Sequence, residues 1–423
     1  MSSPILVSNA REEKIACDRE TPPVPVPDAS FDPRPWRDET PAAAAGRIHL
    51  NNAGAALQPK AVLDTVIGHL RKESEMGGYE AADAEAASIA QAYDRVAQLI
   101  GGEARNIAVV ENATVAFSLA LSSFDFAPGD VILTTRNDYI SNQLAYLSMA
   151  RRRGIRIVRV PDASEGGVDV DAVRQAVLTQ RPALVAVTWV PTNSGLVQPV
   201  AAVGEVCQEA GVPFLIDACQ AVGQLPIDVR RLRCTFLSAT ARKFMRGPRG
   251  VGFLYIADEA LAAGRHPLHI DMRSADWVDD DEYRLADDAR RFENWEFAYA
   301  LLLGMGEAAH HAQRAGVVDA GRYAAALAAH ARERIAAIAG ARVLDRGPEL
   351  CAIVTAEFAT APADEIVARL REQAINTSAT YRAFAVIDMK AKDASTAVRL
   401  SPHYYNTIRD VDIACDALEE FSL

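Results

Sequence analysis

Short apolar runs alternate with amphipathic segments between residues 107 and 256. The runs that predict β-strands lie at 107–111, 131–135, 155–160, 183–190, 213–217, 235–239 and 251–256. Helical spacing of apolar residues separates several of them, at 114–124, 139–152, 170–179 and 199–210. Near-continuous apolar strands separated by helices are typical of a mostly parallel sheet covered on both faces. We therefore predict an α/β fold with a seven-stranded, mostly parallel sheet, whose ligand lies outside the carboxyl ends of the strands.

The composition of the flanking segments predicts three parts. Residues 1–45 are rich in proline and polar residues, so we expect an extended N-terminal arm. Residues 46–300 form the large domain. Residues 301–423 begin with a long alanine-rich helical region, and the remainder is expected to form a smaller C-terminal α/β domain.

Charge and hydropathy exclude several classes of protein. The chain has 44 Lys and Arg against 56 Asp and Glu, without the basic footprint of a nucleic-acid binder. No apolar run approaches the roughly 18 residues of a membrane span, and residues 1–18 lack the apolar centre of a signal peptide. Six cysteines lie scattered without a CxxC pair, which predicts reduced thiols in the cytoplasm, and no set of residues has the spacing of a metal site.

Lysine is rare in this chain, and one lysine is isolated. Six of the 44 basic residues are lysine, and between Lys72 and Lys390 the one lysine is Lys243. An amine can form a Schiff base with an aldehyde, whereas a guanidinium cannot. Lys243 is therefore a candidate catalytic amine, the alternative being an accident of composition.

Polar residues suited to a phosphate and to a cationic ring follow three of the predicted strands. Ala113 and Thr114 open a helix after strand 107–111, where an anion binds well, although a helix cap is the simpler reading of Thr114. Asp217 ends strand 213–217, and a buried acid needs a cationic partner, either an Arg or a protonated pyridine nitrogen.

The third strand end leads to Lys243 itself. Thr240 and Arg242 flank it and offer a hydroxyl and a guanidinium to a phosphate. Neither GxGxxG after a strand nor GxxxxGK[ST] occurs, so nucleotide binding is not indicated. An amine, an acid and phosphate ligands at one edge of a sheet favour pyridoxal phosphate.

The same segments resemble a known family. The sequence looks like the class V aminotransferase group of fold-type I pyridoxal-phosphate enzymes, which includes cysteine desulfurases, C–S lyases and isopenicillin N epimerase. The resemblance runs from about residue 50 to the C-terminus. Its most specific stretches are HLNNAGAALQP (49–59), ENATVA (111–116), IDACQ (216–220), TARKFMRGPRGVGFLY (240–255), RFENWE (291–296) and VRLSPHYYNT (398–407).

The resemblance implies roles for the cofactor-binding residues. Lys243 would carry the cofactor as a Schiff base and then move the proton, and Asp217 would pair with the ring nitrogen. Gln220 would bind the phenolic oxygen. Tyr139 falls where many relatives place a ring-stacking histidine, so it would stack but lacks the acid–base group. The phosphate ligands implied are Ala113, Thr114, Thr240 and Arg242.

Further residues are implied for the substrate and for a partner subunit. Arg399 matches the arginine that binds the substrate α-carboxylate, and Asn193 would lie near both the cofactor and that carboxylate. Asn51 and Asn52 would line the entrance. The segment 291–296 resembles one that in relatives reaches the neighbouring subunit's cofactor, with contacts from Asn294 or Glu296. We therefore expect a homodimer with shared active sites.

The absence of a cysteine from one segment narrows the set of possible reactions. Desulfurases of this group carry a nucleophilic cysteine before the carboxylate-binding arginine, and residues 366–398 contain no cysteine. Residues 75–84 resemble the entrance segment of lyases that cleave cysteine S-conjugates. We predict C–S β-elimination on such an amino acid in a biosynthetic pathway. Aminotransfer, epimerisation and decarboxylative deamination remain alternatives, as does a protein that binds the cofactor without catalysis.

Overall fold

The computed structural model describes residues 31–423, and the N-terminal part of that range is helical. The predicted extended arm is wrong for its described part, while residues 1–30 lie outside the described range. Proline is tolerated in the first turn of a helix, where its missing N–H is not needed, and both helices have proline there. The elements are α1 (Arg34–Asp38) and α2 (Pro41–Ala44).

A short strand and a group of three helices precede the large sheet. Two of these helices are long, and the third is a short helix that lies between them. The elements are β1 (Ile48–His49), α3 (Lys60–Met76), α4 (Gly78–Ala84) and α5 (Ala86–Leu99).

The large sheet has the seven strands that the sequence predicts. They are β2 (Ile107–Val110), β3 (Val131–Thr135), β4 (Arg156–Val160), β5 (Leu184–Thr188), β6 (Phe214–Asp217), β7 (Phe236–Thr240) and β8 (Gly252–Ile256). Their order is β2-β8-β7-β6-β5-β3-β4. The pairs from β7 to β4 are parallel, and β8 runs antiparallel to β2 and β7. Asp217 pairs with Thr188 on one side and Ser238 on the other, so the strand ends lie level.

Helices cover both faces of this sheet. They are α6 (Ala113–Ser122), α7 (Ile140–Arg153), α8 (Val170–Gln180), α9 (Val200–Ala210), α10 (Val229–Leu232) and α11 (Asp258–Ala262). Phe214 and Ile216 pack into the core beneath α8 and α9, whereas Leu215 packs into the core beneath α6 and α7. Alternate residues of a strand point to opposite faces, so the continuous apolar pattern follows from burial on both sides.

An exposed hairpin and a long helix lead out of the large domain. The hairpin consists of β9 (Ala275–Asp279) and β10 (Glu282–Leu285), and the helix is α12 (Tyr299–Ala315). Leu302 and Met305 of α12 lie in the core shared with α5 and the sheet. The large domain therefore extends to about residue 315, beyond the expected boundary at 300.

The smaller domain combines residues near the start of the described range with the C-terminal part of the chain. Its sheet has the antiparallel order β11-β12-β15-β14, and β13 pairs in parallel with β1. Ala43, Ile48 and Leu50 lie in its core, so the expected start of the large domain at residue 46 is displaced as well. The elements are α13 (Val317–Ala336), β11 (Ala341–Val343), β12 (Val354–Phe358), α14 (Ala363–Glu372), β13 (Ile375–Asn376), β14 (Ser378–Tyr381), α15 (Val386–Ala391), β15 (Thr396–Leu400) and α16 (Ile408–Glu419).

The described residues contain neither a membrane-spanning helix nor a metal-binding cluster. Among residues 31–423, no helix is both long and apolar enough to cross a membrane. In the same range, no group of three or more His, Cys, Asp or Glu side chains could hold a metal ion.

Candidate active site

A cavity of about 120 Å³ lies at the carboxyl ends of β5, β6 and β7, beside the N-termini of α6 and α7. Parallel strands end at one edge of a sheet, and this is where ligands bind in such folds. The cavity brings together eight of the residues that the sequence predicts. They are Ala113, Thr114, Tyr139, Asp217, Gln220, Thr240, Arg242 and Lys243.

Lys243 occupies the turn that follows β7. Its side chain is buried, and its Nζ lies 5.9 Å from the centroid of the Tyr139 ring. Burial is the main cause that lowers the pKa of Lys243, while the carboxylate of Asp217 acts in the opposite direction. A lowered pKa increases the fraction of neutral amine, which is the form that attacks an aldehyde or removes a proton.

Asp217 is the last residue of β6 and is buried at the cavity wall. Its Oδ1 accepts a hydrogen bond from the main-chain N–H of Cys219 at 3.0 Å, and its Oδ2 accepts one from Nδ2 of Asn142 at 2.9 Å. Both donors are uncharged. The arrangement therefore suits a cation arriving from the cavity, such as a protonated ring nitrogen.

The N-terminus of α6 forms the opposite end of the cavity. Asn112 caps this helix, because its side-chain oxygen accepts from the amides of Thr114 and Val115 at 3.0 and 3.1 Å. The amide of Ala113 and the hydroxyl of Thr114 remain for a bound anion, and Thr240 lines the same cavity. A ten-residue helix directs its dipole at this point, which favours a phosphate.

Two arginines lie close to Lys243. Arg242 lines the cavity and donates to the carbonyl oxygen of Gly54. Arg399 on β15 donates to the carbonyl oxygen of Thr192 at 3.0 Å and to Oδ1 of Asn51 at 3.2 Å. Burial, and then the nearby charge of Arg242, lowers the pKa of Arg399 to about 10, so it stays charged at neutral pH. Its hydrogen bonds within the described chain go to neutral acceptors, which suits an anionic ligand.

Two buried polar atoms test whether pyridoxal phosphate fits this site. Nε of Arg399 and Oε1 of Gln220 have no hydrogen-bond partner in the described chain. Nε2 of Gln220 donates to the carbonyl oxygen of Ala53 at 3.1 Å. Orphaned buried polar atoms are unusual in a folded protein and indicate a missing partner. The amine of Lys243 suits the aldehyde of the cofactor, Asp217 suits its ring nitrogen, and the N-terminus of α6 suits its phosphate. The orphaned amide oxygen of Gln220 could accept a hydrogen bond from its phenolic hydroxyl.

Five predicted site residues are not among those that line the cavity. Two of them, Asn51 and Arg399, bond each other, and the other three are Asn193, Asn52 and Asn294. Nδ2 of Asn193 donates to Oδ2 of Asp388 at 2.6 Å, so its amide is held by the smaller domain. Asn52 is fully buried and bonds the carbonyl oxygen of Ser401 and the hydroxyl of Tyr405, which makes it structural in this chain. Asn294 is exposed on the surface.

Sequence reasoning missed several residues at or next to the cavity. Asn142, Thr188 and Cys219 all line it. Asp138 lies behind it and bonds both Asn142 and Thr188. Asn142 could have been found, because it follows Tyr139 by three positions and residues so spaced share one face of a helix.

The fold and this cavity define a pyridoxal-phosphate enzyme with a large and a small α/β domain. The chain belongs to the class-V aminotransferase family, whose profile, Aminotransferase class-V, matches residues 48–413. It is an enzyme of the cysteine desulfurase and C–S lyase type.

Three comparisons illustrate the likeness. The chain is 25% identical over 382 residues to a probable cysteine desulfurase of Methanothermobacter thermautotrophicus, covering 89% of this chain and 94% of that protein. It is 28% identical over 398 residues to a probable hercynylcysteine sulfoxide lyase of Mycobacterium tuberculosis, covering 90% and 92%. The apo structure of a cysteine desulfurase from Thermococcus onnurineus NA1 superposes with a TM-score of 0.84 at 22% identity, covering 92% and 98% of the two chains.

Proposed function

We propose that this enzyme cleaves the C–S bond of a cysteine S-conjugate by β-elimination. The observation that carries the proposal is that no described cysteine at the cavity has a thiol with a lowered pKa. Among the described cysteines, Cys219 is the one that lines the cavity, and burial together with Asp217 raises the pKa of its thiol. A sulfur-accepting nucleophile must be a thiolate, which needs a lowered pKa. Cys219 is therefore poorly suited to take up sulfur, and elimination without a protein persulfide is the better fit.

The reaction requires proton removal from Cα and departure of sulfur from Cβ. When bound, pyridoxal phosphate supplies the electron sink for the Cα electron pair. Lys243 Nζ takes the Cα proton, and Asp217 stabilises positive charge at the ring nitrogen. The Cβ–S bond then breaks and its electron pair leaves with sulfur. The balance is one S-conjugate and one water, giving one thiol, one pyruvate and one ammonia; a sulfoxide would release a sulfenic acid.

The substrate is oriented by its α-carboxylate. Arg399 presents a planar guanidinium whose Nε is free of partners in residues 31–423, and a carboxylate binds such a fork in two places. Tyr139, whose ring centroid lies 5.9 Å from Nζ of Lys243, would pack against the ring of a bound cofactor. The relative from M. tuberculosis supports a sulfur-containing substrate, since its name describes a lyase of a cysteine-derived sulfoxide.

We also propose a homodimer in which each subunit completes the other's site. Asn294, Trp295 and Glu296 are exposed in the single chain, and Trp295 is 43% exposed. These residues lie between the hairpin and α12. A large aromatic flanked by polar residues on a loop is typical of an interface anchor.

A product assay tests the elimination reaction. Purified enzyme is incubated with cysteine S-conjugates and their sulfoxides carrying aliphatic, aromatic or imidazole substituents, and products are identified by mass spectrometry. We expect pyruvate and the released thiol in equal amounts for at least one substituent, and none with Lys243→Ala.

Detection of other products would indicate one of the alternative reactions. With L-cysteine as an additional substrate, alanine and a protein persulfide would indicate a desulfurase. From the conjugates, an intact keto acid would indicate an aminotransferase, and carbon dioxide a decarboxylase. Exchange of the Cα hydrogen without bond cleavage would indicate an epimerase. Absence of every product in cofactor-loaded enzyme would favour a binding protein.

A further inference from the structure

A second buried carboxylate lies behind the cavity. Asp138 precedes α7 and is 5% exposed. The amide of Asn142 spans the two acids, since its Nδ2 lies 3.2 Å from Oδ1 of Asp138 and 2.9 Å from Oδ2 of Asp217. Asp138 is not among the residues that line the cavity. It can therefore act on a bound molecule through its charge and through Asn142.

The hydrogen bonds around Asp138 favour its ionised form. Its oxygens accept from five donors in the described chain: the hydroxyls of Thr134 and Thr188, the side-chain amides of Asn142 and Gln143, and the main-chain N–H of Tyr139. Amide N–H groups cannot accept a proton from a neutral acid. The N-terminus of the 14-residue helix α7 adds a favourable dipole. The pKa of Asp138 is raised, mainly by burial and also by the charge of Asp217, and the hydrogen bonds from Thr188, Gln143 and Asn142 oppose that rise.

The other charged or titratable groups that face Asp138 leave its charge uncompensated. Burial first, and Asp138 second, raises the pKa of Tyr146 well above its ordinary value, so this phenol stays neutral. Arg159 is held one side chain away, because its Nε donates to Oε1 of Gln143. The third group is Asp217, itself an acid. Two acids joined by one neutral amide favour a cation on the cavity side of Asp217.

We propose that Asp138 is a positioning residue that acts through Asn142 and Asp217 to hold the ring nitrogen of pyridoxal phosphate protonated. A protonated ring nitrogen is what makes the cofactor an effective electron sink. The role concerns the cofactor and is independent of which bond the enzyme cleaves.

The test measures the ring nitrogen directly. The enzyme is reconstituted with pyridoxal phosphate labelled with ¹⁵N in the ring, and the ¹⁵N chemical shift is followed against pH. Asp138→Asn is nearly isosteric, removes the charge, and keeps a residue that caps helices as well as Asp does. At an effective dielectric constant of about 20, loss of a charge this close should lower the titration midpoint by about one pH unit.

Thr134→Val is the second variant, and it leaves the cavity lining intact. It removes one donor to Asp138, keeps the carboxylate, and places a good strand former in β3. The titration midpoint of the ring nitrogen in this variant should also fall, by less than in Asp138→Asn. An unchanged midpoint in Asp138→Asn would leave Asp138 with a structural role before α7 and would overturn the proposal. Should that variant fail to take up cofactor, an unchanged midpoint in Thr134→Val would overturn the proposal. Failure of the wild-type protein to bind the cofactor would overturn the cofactor assignment as well.

Discussion

Arg399 and Asn51 are joined by a hydrogen bond, Nη2 to Oδ1 at 3.2 Å, although 348 positions separate them. Arg399 belongs to β15 of the smaller domain, and Asn51 follows β1, which pairs with that domain. The bond holds the guanidinium close to Arg242 and Lys243. Asn51 is therefore an expected entrance residue whose observed contact is with the arginine that we propose binds the substrate.

Replacing Arg399 by alanine should weaken amino-acid substrates while leaving cofactor binding intact. Loss of one partner of a desolvated charge pair costs about 2–4 kcal/mol, seen here in kcat/KM. Amine analogues without the α-carboxylate should lose much less. The exposed Arg249 offers a matched control, since Arg249→Ala removes a neighbouring charge without removing the carboxylate site. An equal loss for both classes of substrate would show that Arg399 is structural.

Lys243 should be the point at which the cofactor is attached. Reduction of the cofactor-loaded enzyme with borohydride, followed by peptide mapping, should place the label on the peptide containing Lys243. Its burial and lowered pKa favour the nucleophilic amine. Lys243→Ala should retain some cofactor through the phosphate and ring contacts but lose turnover. Labelling of Lys60 or Lys392 instead would exclude the assignment.

Shared active sites predict complementation between two inactive variants. Lys243→Ala and Asn294→Ala, each inactive alone, should recover activity when they are unfolded and refolded together. Half of the dimers in an equal mixture are mixed, and each mixed dimer has one intact site, so about a quarter of wild-type activity is expected. Trp295→Asp should shift the protein toward monomer by light scattering.

A second exposed tryptophan provides the control for the dimer experiment. Trp277 on β9 is 80% exposed, and Trp277→Asp should leave the oligomeric state unchanged. A fully active wild-type monomer, or complementation no greater than the sum of the two variants, would contradict the shared site.

Acid should destabilise the fold through His311. Burial is the main cause that lowers the pKa of His311 to about 4, with Arg246 contributing and Glu39 opposing. The unfolded chain takes up a proton near pH 6.5, whereas the folded chain does so near pH 4. The contribution of neutral His311 to the free energy of unfolding is therefore complete above pH 6.5. It is lost as the pH falls toward 4, by about 1.4 kcal/mol per pH unit.

Denaturant unfolding measures this loss. Between pH 7 and pH 5 the free energy of unfolding should fall by about 2 kcal/mol from this one group. The neutral ring bridges Glu39 and Tyr404, at 2.9 and 3.0 Å, which ties the N-terminal helices to the smaller domain. His311→Gln should flatten the pH dependence at lower overall stability. The neighbouring variant His310→Gln should keep the wild-type slope, and a wild-type slope in His311→Gln would refute the role.

The strands and most of the cofactor-facing residues were predictable because their signals are local. A strand buried on both faces is a continuous apolar run, and the residues that follow such a run reach one edge of a parallel sheet. Asp217 ends β6, Lys243 follows β7, and Thr114 lies in the first turn after β2. Their positions therefore needed only strand assignment and the topological rule, with the family resemblance adding the roles.

Other contacts could not be predicted, because their partners are distant in the chain. The family resemblance places Asn193 near the cofactor, yet its amide bonds Asp388, 195 positions away. Asn52 lies in a family-like segment but satisfies buried groups around Ser401. No local pattern records which of several acceptors a side chain meets once two domains pack.

The sequence by itself determined the sheet and the positions of Lys243 and Asp217 at its edge, since periodicity and strand ends act over a few residues. The tertiary structure decided the rest. It placed Ile48 in the smaller domain, set Arg399 beside Asn51, and linked Asp138 to Asp217 through Asn142. Burial forces polar groups to find partners wherever the packed chain supplies them, and that choice depends on all the elements at once.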